Sequence, residues 1–155
     1  MTVWGITRNG QTVGINSWWT RDGNNVTLHQ EIRYRSTTPV TDTNNNLTWS
    51  GHVTGSKPNA LQVNKWTGET VLHTIVTGPT PIPTGSDITR TLNVTLANIE
   101  YAGQNLTAST TDTFPGFPNA PSNVTATRQS DTRVNLAWTN NGGTSINVHR
   151  WDNVS

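Results

Sequence analysis

The stretch Asn25-Val26-Thr27-Leu28-His29-Gln30-Glu31-Ile32-Arg33-Tyr34-Arg35 decides the fold. Val26, Leu28, Ile32 and Tyr34 share one parity, interrupted only by Gln30, while Thr27, His29, Glu31, Arg33 and Arg35 share the other. Successive side chains of an extended chain point to opposite faces, so this period of two predicts a β-strand with one dry and one wet face. Ile88 to Leu96 repeats the pattern: Ile88, Leu92, Val94 and Leu96 oppose Thr89, Thr91, Asn93 and Thr95. No stretch of useful length carries a 3.6-residue period.

Working outward, shorter strands are predicted at Thr2 to Thr7, Thr12 to Trp19, Asn46 to Val53, Ala60 to Trp66, Glu69 to Val76 and Asn105 to Thr110. Turn-forming runs separate them: Arg21 to Asn25, Thr43 to Asn46, Gly55 to Asn59, and the proline-rich Gly78 to Gly85, which is expected to form an extended crossover or edge loop. Strands at short intervals divided by such turns predict an all-β sandwich. Composition agrees: Thr and Asn make up about 30 % of the chain, far above average usage. Thr suits a half-exposed pleated face and Asn suits turns.

The net charge of +1 comes from scattered residues, so no basic stripe exists to neutralise a run of phosphates, and nucleic-acid binding is not expected. Membrane insertion is not expected either, since no apolar run approaches the roughly 18 to 20 residues that cross a bilayer. The opening MTVWGITRNGQ has no basic segment followed by an apolar one, which predicts synthesis in a cytoplasm without a signal peptide. With no cysteine, disulfides, thiol nucleophiles and cysteine-based zinc sites are all excluded. Five Asn-x-Thr triplets occur, as chance provides in a chain this rich in both residues.

The texture changes at Thr113-Phe114-Pro115-Gly116-Phe117-Pro118-Asn119-Ala120, a semi-stiff linker that sets expected boundaries at 1–112, 113–120 and 121–155. Phe114 and Phe117 are placed to pin it against a neighbouring module. Beyond it come Pro121 to Thr127, Arg133 to Thr139 and Ser145 to Trp151. These three segments resemble strands A, B and C of a fibronectin type III domain. The resemblance places Val124 on A, Val134, Leu136 and the core-type Trp138 on B, and Ile146 and Val148 on C. It implies a partial fibronectin type III-like β-sandwich whose remaining strands come from further sequence or from another chain. A Cys-free, Thr/Asn/Gly-rich sandwich joined to such a module is similar in modular style to tail and fibre proteins of bacterial viruses. That resemblance implies an immunoglobulin-like antiparallel β-sandwich for residues 1–112 and a virion protein of the minor tail or tail-fibre kind. Its expected partners are other virion proteins, further copies of itself with trimers usual in such fibres, and host cell-wall glycan. A capsid decoration protein or head fibre, a carbohydrate-binding module and an adhesin remain alternatives.

Catalytic motifs are lacking: the nine acidic residues are dispersed, and neither Gly-x-Ser-x-Gly nor His-Glu-x-x-His is present. The chain is therefore expected not to be an enzyme and to need no cofactor. His29, His52, His73 and His149 fall at no metal-ligand spacing, although His29 and His73 could converge across a sheet. The oxygen-rich runs at Asp22 and Asp42 lack the closing glutamate of a calcium loop and read as turns. Seven tryptophans carry the remaining signal. Trp18 and Trp19 are adjacent, so a regular strand buries only one of them. Trp4, Trp18, Trp19, Trp66 and Trp151 are the candidate ligand or interface aromatics, and core packing is the competing role for each.

Overall fold

The computed structural model describes residues 1–42, 44–100 and 102–143, and it leaves the side chains of 42 and 63–66 undescribed. Trp151, Ile146, Val148 and the side chain of Trp66 therefore lie outside the described residues. Within them the chain is all-β. The strands are β1 (Thr2–Trp4), β2 (Gln11–Asp22), β3 (Asn25–Asp42), β4 (Asn46–Gly51), β5 (Gly55–Pro58), β6 (Val63–Pro81), β7 (Ile88–Ala97), β8 (Leu106–Phe114), β9 (Ser122–Ser130) and β10 (Arg133–Thr139).

Two four-stranded antiparallel sheets form a sandwich, one in the order β1-β2-β3-β6 (sheet A) and the other β5-β4-β7-β8 (sheet B). Consecutive strands β3 and β4 lie in opposite sheets and pair with β6 and β7, which are themselves consecutive and in opposite sheets. This interlocking is the Greek-key arrangement of immunoglobulin-like sandwiches. The β2–β3 hairpin is closed by Gly23 and Asn24 between the paired Asp22 and Asn25. Gly23 has φ +57°, a conformation that glycine adopts without steric cost, at the first central position of a two-residue loop.

The alternation of the opening stretch sets the layers. Ile32 and Tyr34 of β3, Val13 and Ile15 of β2, and Leu92, Val94 and Leu96 of β7 meet in the main core. Tyr34 donates its hydroxyl to Gln11 Oε1 at 2.6 Å, and Gln11 Nε2 reaches the Glu100 carbonyl at 2.8 Å, so this buried pair is satisfied. A smaller cluster at the other end joins Val26, Ile82 and Ile88 to Trp19, Phe114 and Phe117. Between the two, the inward parity turns polar on four strands at once: Ser17 opposite Gln30 in sheet A, and Arg90 opposite Asp112 in sheet B. Gln30, the residue that interrupts the apolar run, is 0 % exposed and spans the sheets to Asp112 Oδ2 at 2.9 Å.

Several elements differ from the sequence expectation. Gly55 to Pro58 is the edge strand β5 rather than a turn; a short edge strand tolerates glycine at one end and proline at the other because its outer hydrogen bonds are not needed. The two strands expected at 60–66 and 69–76 are one long strand, β6, which also absorbs the first half of the proline-rich run as far as Pro81. Its register shifts between Ile32 and Arg33 of the partner strand, a bulge that turns both Leu72 and His73 toward sheet B.

The sandwich and the C-terminal strands are joined by a docked segment. β8 continues to Phe114, two residues past Asp112. Phe117 donates its backbone N–H to the Pro83 carbonyl at 2.8 Å and accepts from Gly85 at 2.7 Å, and its ring packs in the smaller cluster with Arg21 5.2 Å from the ring centre. Beyond it, β9 and β10 pair as a two-stranded antiparallel ribbon.

Candidate binding surface

The outer face of sheet A is built from the wet parity of β3 and its neighbours. One cross-strand row runs Trp18, His29, Val76 on β2, β3 and β6; the next runs Asn16, Glu31, Thr74; a third brings Gly14, Arg33 and Val71 together. Trp18 is 40 % exposed and stacks on His29 with ring centres 5.2 Å apart and planes 5° from parallel. His29 Nε2 and Thr20 Oγ1 are hydrogen-bonded at 2.9 Å, which fixes the imidazole plane and, through it, the indole. Trp19 points the other way, into the smaller core, with its ring 5.6 Å from that of Phe114. Strand alternation thus gives the two adjacent tryptophans different roles.

Trp4 lies on β1 across from Gly14, where a Cβ would come within 2.6 Å of the indole, and the Arg35 guanidinium sits 4.5 Å from its ring centre. The indole is thus half-buried between its own strand partner and a cation. Between Trp4 and Trp18, Glu31 takes hydrogen bonds from Arg33 at 3.1 Å and Asn16 at 3.3 Å, and Arg33 also pairs with Glu69. Arg33 thus serves two carboxylates, and Arg35 beside Trp4 brings the formal charge of the patch to zero.

Sheet B presents a different surface. Thr48, Ser50, Thr89, Thr91, Asn93, Thr95, Thr107, Ser109, Thr111 and Thr113 all share the outward parity, while Lys57, Arg90 and Asp112 share the inward one. Facing hydroxyls join across strands, as in Thr91 with Thr111 at 3.0 Å and Ser109 with Asn93 at 2.8 Å. A shallow depression of about 460 Å³ lies beside Thr48, Ser50, Thr54, Ser56 and Asn93, and another of about 450 Å³ beside Asn98, Gly103 and Gln104.

At the opposite edge Trp49 of β4 stacks on His73 of β6 at 4.4 Å, and Lys57 donates to the Leu72 carbonyl at 2.8 Å, tying the two sheets together. Burial there, with Lys57 as the second cause, pushes the His73 pKa below its ordinary value. His29 and His73 lie on opposite faces of sheet A, so they do not converge. His52 approaches the Thr91 carbonyl through Nδ1 at 2.9 Å, which requires a proton on that nitrogen and leaves Nε2 to accept from Thr77 at 3.3 Å when the ring is neutral. No group of three His, Asp or Glu side chains that could hold a metal occurs among the described residues.

On the ribbon, Val124, Val134, Leu136 and Trp138, predicted as core of a fibronectin-like module, are 66 %, 56 %, 44 % and 40 % exposed. Pairing of Leu136 with Ala126 and of Val134 with Arg128 puts them on one face. The sequence reading singled out Trp18 and Trp4 but missed His29, Glu31 and Arg33 as their neighbours. Their shared parity in the opening stretch was the available signal, and it needed the β2 register to become a place.

Compared with known proteins, the chain matches no family model, no curated protein and no solved structure.

Proposed function

We propose that the chain is a structural, non-catalytic component of a bacteriophage virion, of the minor tail or tail-fibre kind, acting by particle assembly and attachment to the host surface. The observation that carries this reading is the docked linker. Hydrogen bonds at the N–H and carbonyl of Phe117 and packing of its partly buried ring hold the start of the connection against the sandwich, shortening the free link to the ribbon to residues 118–121. The apolar face of the ribbon adds support, because a two-stranded ribbon is marginal alone and gains stability by packing against further β-structure. On sheet A the acidic groups are engaged by Arg33, an arrangement suited to a surface and not to proton transfer.

The test is to purify particles of the virus that encodes the chain, search them by mass spectrometry, and locate the chain with gold-labelled antibody. Peptides of the chain in the particle and gold on the tail are the expected result. Gold on the head would instead make it a capsid decoration protein or head fibre, and absence from particles would overturn the virion reading.

A further inference from the structure

We propose that the outer face of sheet A is a platform for a neutral, extended glycan, with Trp18 as the stacking ring and the row Asn16, Glu31, Thr74 as hydrogen-bonding partners. The proposal deepens the adhesion part of the reading above and rests on it. One face of the Trp18 indole is covered by His29. β1 pairs with β2 only from Gly14 to Asn16, so no strand lies beside Trp18 on its other side among the described residues. An aromatic ring held with one face toward solvent is suited to the C–H face of a pyranose, which is apolar while the ring's rim of hydroxyls is not. The His29–Thr20 hydrogen bond holds the indole in place before any ligand arrives, so little conformational freedom is lost on binding.

The adjoining row supplies the polar half. Asn16 and Glu31 are half-buried and already hydrogen-bonded to each other, and Thr74 is exposed beside them. From the Trp18 row to the Arg33 row is four residues of strand, roughly 13 Å, longer than one sugar ring. An oligosaccharide is thus the size that fits. Charge selects its class: Glu31 and Glu69 are both paired with Arg33, and Arg35 sits over Trp4. The two carboxylates and the two guanidinium groups sum to zero, so this face offers an acidic polymer no net positive charge.

The full chain would be run in native gels containing soluble β-glucan, galactomannan or dextran, with alginate as an acidic control. We expect retardation by at least one neutral polysaccharide and not by alginate. Trp18→Ala should weaken the interaction about tenfold or more, as loss of a central aromatic anchor does. Trp18→Tyr should keep most of it, Asn16→Ala should weaken it with the fold intact by circular dichroism, and Thr111→Ala on sheet B should leave it unchanged. Absence of retardation by all three neutral polymers, stronger retardation by alginate, or undiminished binding by a folded Trp18→Ala chain would overturn the proposal. The two readings fail separately: a chain found in virions that ignores neutral glycans loses only the platform, and a glycan-binding chain absent from virions loses only the virion assignment.

Discussion

At the residue scale the two buried glutamines set up a contrast. Gln11 is engaged at both ends of its amide, by Tyr34 and by the Glu100 carbonyl. Gln30 uses its Nε2 toward Asp112 and Ser17, while its buried Oε1 meets no partner among the described residues. An unpaired buried carbonyl costs about 1–3 kcal/mol, whereas replacing it by an apolar group of similar shape recovers much of that. Tyr34→Phe is therefore expected to cost about 1–3 kcal/mol in urea unfolding, because it strands Gln11 Oε1 in the core. Gln30→Met removes the stranded atom but also takes the Nε2 donor from Asp112, a half-buried carboxylate that water can reach, so it should cost less than Tyr34→Phe. Equal losses would mean that Gln30 Oε1 has a partner such as a bound water. The sequence already marked Gln30 as the exception to an apolar parity. Its destination was not legible, because Asp112 lies 82 residues away and only the sandwich brings the two together.

At the element scale, long alternating segments were the easiest to read: β3 and β7 begin where their patterns begin, at Asn25 and Ile88. β5 was missed because Gly55, Lys57 and Pro58 belong to turns by composition, and an edge position overrides that preference. The same edge holds the pH-sensitive contact. His73 binds its proton less readily when folded than its ordinary value of 6.5, so the unfolded chain takes up protons first as pH falls. The stability due to neutral His73 is thus present above about pH 6.5 and is lost as pH falls through the lower folded value. In thermal melts between pH 7.5 and 5, wild type should lose more stability than His73→Gln, and Lys57→Met should reduce the loss by removing the neighbouring cation. A His73→Gln chain with an unchanged pH profile would assign the effect elsewhere. Gly55→Ala should also loosen this edge, because its Cβ would overlap the Trp49 indole. The expected signs are a lower melting temperature and altered tryptophan fluorescence.

At the scale of the whole molecule, composition and parity were enough for an all-β sandwich, and the change of texture at Thr113 falls where β8 ends, at Phe114. The attachment of the linker was less so: Phe117 was a candidate pin, but its partners Pro83 and Gly85 come from a run that reads only as a loop. Phe117→Ala removes a ring from the smaller core, and we expect proteolysis in 115–121 to accelerate on the order of tenfold while cleavage within β3 stays slow. Gly116→Ala should act alike, since its Cβ would overlap the Ser86 carbonyl. Unchanged cleavage in both variants would show that the docked segment contributes nothing to holding the linker.

The polar layer of Ser17, Gln30, Arg90 and Asp112 has a mechanical meaning. It stops apolar contact from running the length of the sandwich, so the smaller cluster is bonded to the rest mainly through backbone ladders. A pull applied through the ribbon is felt first by Phe117, Phe114 and Trp19, and the layer acts as a break line beyond which the load meets the main core. Stretched as a single molecule, the chain should yield in two steps, a short extension at low force followed by rupture of the sandwich.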